Sequence, residues 1–240
     1  MRYMGGKSRL AKSIRDVVIS RVESTRVTYW EPFVGGCGSF EVIAPEFERA
    51  VGSDTHEDLI LMWQAVSKGW NPPTEVTPEK YALLRDAAIP AAIRGFVGFG
   101  GSFGGKWFGG YAKGGYTSTG EPRNHLAESA RNVLKTQQKL SECNVEFRNV
   151  PYTEITPEPG DVVYCDPPYA GTTEYNSSGF DSDAFWTWCD GLVDQGVQVF
   201  VSEYTAPDHW TEVFRKELLS STDRAENRKK AVDRLFTRIN

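Results

Sequence analysis

Residues 161–169 read Asp161-Val162-Val163-Tyr164-Cys165-Asp166-Pro167-Pro168-Tyr169. The first five make a short apolar run, the pattern of a strand buried on both faces of a parallel sheet. The last four end it abruptly. Two successive prolines fix φ and remove two backbone donors, so no ladder continues through them. In open α/β sheets, ligands gather beyond the carboxyl ends of the strands. That puts Asp166, Pro167, Pro168 and Tyr169 on the rim of a candidate site. There the proline carbonyls are free to accept hydrogen bonds, Asp166 adds a carboxylate acceptor, and Tyr169 adds a flat ring. The combination suits an exocyclic amino group on a planar base. The same four residues also make an ordinary strand-ending turn, where Asp and Pro are common.

Working outward, this strand is one of a series. Val27-Thr28-Tyr29-Trp30, Ala50-Val51-Gly52-Ser53, Val145-Glu146-Phe147 and Val197-Gln198-Val199-Phe200-Val201 are further β-prone runs. Helical patterns fall over 8–24, with Leu10, Ile14, Val17, Val18 and Val22 on one face, from Ser39 onward, over 57–66, and over 181–194. Strands alternating with helices predict an α/β fold, a Rossmann-like and mostly parallel sheet with helices on both faces. A length of 240 residues allows one large domain with a modest insert. Hydrophobic residues at 40% and charged residues at 25% exclude a disordered or fibrous chain.

The middle of the chain differs. Residues 95–120 hold 11 of the 23 glycines, together with Phe96, Phe99, Phe103, Trp107, Phe108, Tyr111 and Tyr116. Glycine at this density opposes long regular helices, yet a purely flexible linker seldom carries so many large rings. The expectation is an irregular inserted lobe over 70–125, flanked by a catalytic domain made of 1–69 and 126–240.

Two other segments bear on chemistry. Glu31-Pro32-Phe33-Val34-Gly35-Gly36-Cys37-Gly38-Ser39 follows the first strand, where glycines let backbone approach a ligand. The spacing is not G-x-G-x-x-G, and no G-x-x-x-x-G-K-S/T is present, so a pyrophosphate site is not indicated. Asp54 ends the next strand about 20 residues on, where an acid typically accepts from ribose hydroxyls. Together these point to an adenosine-containing cofactor. Tyr3-Met4-Gly5-Gly6-Lys7 leads into the first helix. Glycines and a lysine at a helix N-terminus can hold an anion such as a carboxylate.

In combination, the G-G-K start, the E-P-F-x-G turn and the late D-P-P-Y resemble the Dam-type DNA adenine-N6 methyltransferases, and 199–204 looks like that family's later strand ending in Ser. The resemblance covers most of the chain. It implies S-adenosylmethionine as cofactor and duplex DNA as partner. Lys7 and the backbone of Tyr3, Met4, Gly5 and Gly6 would hold the methionine part. Glu31, Phe33, Gly35 and Gly36 would line the cofactor pocket, which also touches Asp166, and Asp54 would bind the ribose. Asp166 and the Pro167 carbonyl would accept from the adenine amino group, Pro168 would stiffen the turn, and Tyr169 would stack on a flipped-out base. The family shows G-x-G in the glycine turn. Here either Cys37 stands at the second glycine or the turn is one residue longer.

The net charge of −5 argues at first against a nucleic-acid partner. It is uneven: residues 1–26 carry +5, 89–125 carry +3 and 215–238 carry +4. Arg94, Lys106, Trp107, Lys113 and Arg123 are the candidate DNA contacts, with Lys106 foremost. No apolar run approaches 18 residues, and no signal-peptide pattern is visible. The four cysteines show no C-x-x-C pairing and the three histidines no metal-ligand spacing. The expectation is a bacterial or phage protein of the reducing cytoplasm, without metal, a monomer or weak dimer. Alternatives are a cytosine-N4 or RNA methyltransferase and a catalytically silent DNA-binding module on the same fold. The missing G-x-G-x-x-G argues against a nucleotide-cofactor oxidoreductase.

Overall fold

The computed structural model describes residues 1–169, 179–219 and 230–238. Its strands are β1 (Thr28–Glu31), β2 (Arg49–Ser53), β3 (Val145–Arg148), β4 (Val162–Cys165), β5 (Gln198–Ser202), β6 (Thr211–Leu219) and β7 (Lys230–Thr237). They form one sheet in the order β3-β2-β1-β4-β5-β7-β6. The first five are parallel, and β7 enters antiparallel between β5 and β6. β4 is buried along its whole length near the centre, as its unbroken apolar run predicts.

Successive side chains of a strand face opposite ways, and the core divides accordingly. Tyr29, Val162 and Tyr164 join Phe40, Trp63 and Phe96 on one face. Trp30, Val163 and Cys165 join Phe185 and Cys189 on the other. The helices are α1 (Ala11–Ile19), α2 (Phe40–Ile43), α3 (Glu57–Ser67), α4 (Pro78–Asp86), α5 (Ala92–Gly100), α6 (His125–Leu140) and α7 (Ser182–Asp194). Asp161 ties β4 to β1 by accepting from Thr28 N and Trp30 Nε1, both at 2.9 Å.

Two helices are shorter than the sequence predicts. α1 ends at Ile19, where Ser20 Oγ turns back to donate to the Val17 carbonyl (2.8 Å), a local bond that competes with the helix. α2 makes one turn before Pro45, which lacks the N–H to continue it.

The glycine-rich stretch begins as a regular helix rather than as irregular chain. In α5, a Cβ at Gly95 would fall on the Asp58 carbonyl of α3, and one at Gly98 would fall inside the Trp107 ring. Glycine here permits close packing, and Phe96, Val97 and Phe99 sit in the main core. Beyond it, 101–124 has one short 3-10 turn, Phe103–Gly105, and the isolated bridges Ser102 to Tyr111 and Tyr116 to Pro122.

Candidate active site

The carboxyl ends of β1, β2, β4 and β5 bring the predicted residues to one rim. After β1 the chain turns tightly: Val34 N donates to Ser53 O (2.9 Å), and Cys37 N donates to Val34 O (2.9 Å). Gly35 has φ +45° and Cys37 φ +57°, both left-handed, whereas Gly36 and Gly38 do not. Cys37 therefore takes the conformation a second glycine would supply. Its thiol is buried and pushed well up by that burial. Trp63 Nε1 fixes the turn by donating to Gly35 O (2.9 Å).

Glu31 is 1% exposed and braces the turn from beneath. It accepts from Tyr29 Oη (2.7 Å) and Ser39 Oγ (2.5 Å). Burial raises its pKa to about 8 against those two bonds. At that exposure Glu31 lies beneath the turn and supports it from within, and this burial sets it apart from its predicted place in lining the cofactor pocket. Asp54 accepts from Gly35 N (3.1 Å) and His56 N (3.0 Å). Burial raises its pKa while those backbone bonds oppose the shift. Phe33 stacks on Tyr152 (5.6 Å, 30°) in an aromatic wall with Phe185.

The first residues lie across this turn. A Cβ at Gly36 would come within 2.5 Å of the Tyr3 Cβ, and one at Gly35 within 2.7 Å of the Tyr3 ring. Gly6 N closes a turn on Tyr3 O (3.3 Å), Met4 N reaches Gly105 O (3.2 Å), and Gly5 has φ +78°. The Lys7 carbonyl receives Leu10 N and Ala11 N at the head of α1. A cavity of about 270 Å³ opens between Tyr3, Gly6, Ser8, Gly36 and Gly38.

The Lys7 side chain turns away from the glycines. Its Nζ lies 3.2 Å from Asp166 Oδ1 and 3.4 Å from Asp233 Oδ1, 4.3 Å over the Tyr169 ring. Burial opposes the ammonium, but the two aspartates outweigh it and leave the Lys7 pKa raised. Burial raises the Asp166 pKa, with Lys7 pulling against it. Asp166 Oδ1 is buried and receives no well-aligned hydrogen bond. Pro167 is buried beside it, Pro168 is half-buried, and Tyr169 meets Tyr204 edge-on (4.7 Å, 84°). Tyr164 Oη and Ser202 Oγ join the ends of β4 and β5 at 2.8 Å.

Asp233 is the residue that sequence reasoning missed. It sits in β7, some 226 positions after Lys7, and only the reversed strand brings it to the rim. One signal was available: it shares a strand face with Leu235 and Thr237, both buried, so the acid points inward.

The proposed DNA contacts divide. Arg94 is bonded to the buried Asp58 and to Leu84 O (2.9 Å), with its guanidinium over Trp107. Trp107 packs on His56 (4.2 Å) and Phe99 (4.9 Å). Both are thus engaged within the protein, Arg94 by the buried Asp58 and Trp107 against α5, which departs from their assignment as free DNA contacts. Arg123 is held by Glu128 at 2.8 and 2.5 Å. Lys106 and Lys113 are exposed and make no ion pair among the described residues. Arg2 shares Glu128 with Arg123 (3.3 Å), so the basic start and the central stretch meet. In the tail, Arg215 and Arg234 pair with Glu212, and Arg238 pairs with Asp190 and Asp194. Arg224, Arg228 and Lys229 lie outside the described residues.

The donor set fits S-adenosylmethionine. Ser53 Oγ, at the end of β2, is buried without a hydrogen-bond partner, and the Asp54 carboxylate keeps lone pairs beyond its two backbone bonds. Among the described residues no group of acids, histidines and cysteines is arranged for a metal, and no helix is long and apolar enough to cross a membrane.

Sheet order, reversed strand and rim together define a Rossmann-like methyltransferase. The chain belongs to the D12 class N6 adenine-specific DNA methyltransferase family, whose sequence profile aligns with residues 3–83 and 112–231. S-adenosylmethionine is accordingly its cofactor. The Type II methyltransferase M.CviBI of Paramecium bursaria Chlorella virus NC1A is 32% identical over 69 residues, 29% of this chain and only a quarter (25%) of that protein's length. Similar solved structures include an rRNA methyltransferase, aviRa, from Streptomyces viridochromogenes (12% identity, TM-score 0.45, 96% of this chain and 84% of that one). Another is magnesium protoporphyrin IX methyltransferase from Synechocystis PCC 6803 with bound S-adenosylmethionine (9%, TM-score 0.43, 98% and 80%). At such identities neither bears on what this chain acts on.

Proposed function

We propose that the protein transfers the methyl group of S-adenosylmethionine to the N6 amino group of an adenine in duplex DNA, with the base turned out of the helix. The observation that carries this reading is the rim of β4, where the Asp166 carboxylate, the Pro167 carbonyl position and the Tyr169 ring gather around Lys7, on a strand paired with the β1 that leads into the glycine turn. The cofactor, when bound, supplies a methyl carbon made electrophilic by a positive sulfur. Tyr3, Met4, Gly5 and Gly6, with Phe33, Gly35, Gly36 and Asp54, would hold it.

The chain's own groups then explain the chemistry. The adenine amino nitrogen is a poor nucleophile because its lone pair is delocalised into the ring. Asp166 and the Pro167 carbonyl would accept its two hydrogens, favour a pyramidal nitrogen and aim the lone pair. With the methyl supplied by the cofactor and the C–S electron pair kept by its sulfur, Asp166 would take the proton lost from nitrogen and pass it to solvent. Burial, which raises the Asp166 pKa, makes it a better acceptor for that proton. Positioning and fixed dipoles supply most of the acceleration. No enzyme nucleophile is needed, and Cys165 beside the rim is a buried thiol pushed well up by desolvation.

Turning the base out costs a few kcal/mol, which contacts from the 70–125 lobe would offset. Lys106 and Lys113 suit phosphate, and the exposed rings Phe103 and Tyr116, 77% and 74% accessible, are better placed than Trp107 to stack or wedge. The four free cysteines suit a cytoplasmic setting. Incubating the protein with methyl-labelled S-adenosylmethionine and unmethylated genomic DNA tests the reading. Label is expected in the DNA; no incorporation together with no cofactor binding overturns it.

A further inference from the structure

The Lys7 side chain is 10% exposed, and its ammonium faces three groups: Asp166 Oδ1 at 3.2 Å, Asp233 Oδ1 at 3.4 Å and the Tyr169 ring at 4.3 Å. An ammonium has three donors, and two carboxylates and a ring face account for them. The backbone beneath is fixed too, because the Lys7 carbonyl receives Leu10 N (2.8 Å) and Ala11 N (2.9 Å) at the head of α1. The resemblance assigns Lys7 to the methionine end of the cofactor. In this arrangement its ammonium has no donor left for the cofactor's carboxylate.

What Lys7 does hold is the rim of β4. The χ2 torsion of an aspartate is broad and roughly two-fold, so the side chain by itself does not select which oxygen faces which way. At Asp166 the ammonium stands against Oδ1, and that oxygen is shut away from solvent. The exposed 15% of the side chain therefore lies elsewhere, and Oδ2 is the oxygen left to meet a base. The same ammonium lies over the Tyr169 ring, so it ties carboxylate and ring into one unit. Its charge also opposes the desolvation that would otherwise favour the neutral acid at Asp166. We infer that Lys7 is a positioning residue of the methyl transfer, which holds the Asp166 carboxylate with Oδ2 toward the target amino group and the Tyr169 ring beside it, and does not anchor the cofactor. This rests on the reading given under Proposed function. Accepting from the amino group demands a narrow distance and angle, which a carboxylate free to turn would seldom meet.

Cofactor affinity and turnover, measured separately on the full chain, test it. Affinity is read by calorimetric titration with S-adenosylmethionine without DNA, and turnover by label transfer to unmethylated genomic DNA with both substrates saturating. Lys7→Gln should lower turnover about a hundredfold, the scale of a misplacement of about 1 Å, while the affinity stays within about threefold. Lys7→Arg, which keeps the charge but not the geometry, should recover part of the lost turnover at the same affinity. An affinity loss as large as the loss of turnover, or turnover that does not fall, overturns the inference. If Lys7→Gln does not fold, Lys7→Arg decides by the same split: turnover about tenfold below wild type at unchanged affinity is expected, and weakened binding or wild-type turnover overturns the inference. Wild-type protein that binds no S-adenosylmethionine and labels no DNA counts against the methyltransferase reading itself, a result distinct from these.

Discussion

Two stretches of this chain are dense in glycine, 35–38 after β1 and 95–120 ahead of α6, and they use it differently. In the first, Gly35 and Gly36 are closed in by Tyr3, Glu31 braces the floor, and Cys37 takes a left-handed turn. In the second, Gly95 and Gly98 let α5 lie against α3 and Trp107, whereas Gly104, Gly110, Gly114 and Gly120 have positive φ with nothing within 4 Å. Composition reports the same signal for a tight turn walled by Tyr3, a helix contact and an open loop. Only neighbours distinguish them.

The sharpest way to break this comparison is at Arg94. It should behave as core, not as a DNA contact, so Arg94→Ala should cost about 3–5 kcal/mol in denaturant unfolding by stranding the buried Asp58. A stable variant with weakened DNA binding would return it to the interface. On the turn's side, Glu31 has a folded pKa of about 8 against an ordinary 4.5. Between those values the folded state holds a proton that the unfolded state has lost. Its contribution to stability is therefore full below pH 4.5 and falls as pH rises toward 8, by about 1.4 kcal/mol per unit. Glu31→Gln should flatten that fall in pH-dependent unfolding curves; an unchanged slope would mean that Glu31 is ionised in the folded protein. Within the glycine-rich stretch, Gly98→Ala should cost about 1–3 kcal/mol by overpacking, and Gly114→Ala, strained only by its φ of +77°, about 1 kcal/mol or less. Equal costs would erase the distinction between packed and open glycines. The smallest effect is at Lys106: Lys106→Ala should reduce the salt dependence of DNA affinity by about one unit of slope, and stability should not change.

These regions also mark where sequence sufficed. β4 and its Asp-Pro-Pro-Tyr rim were legible because a doubly buried strand and a proline stop are local patterns. So were the glycine turn and Asp54, because their spacing follows from successive parallel strands. Arg94 and Trp107 were misread because charge and aromaticity do not say which partner a residue will find, and Asp58 and His56 lie on another helix. Asp233 went unseen because its place beside Lys7 depends on β7 reversing direction between β5 and β6. The uneven net charge was legible as a pattern. The fold brings the basic start against the central stretch through Met4, Gly105 and Glu128, while the described arginines of the tail are paired with acids.

The central claim is that Asp166 presents an adenine amino group for methylation. Nucleoside analysis of DNA from cells expressing the protein, beside cells expressing Asp166→Ala, tests it most directly. N6-methyladenine with the wild type, and its loss by about a thousandfold or more with a folded, cofactor-binding Asp166→Ala, is the expected result. N4-methylcytosine, or undiminished N6-methyladenine from the variant, would contradict the account.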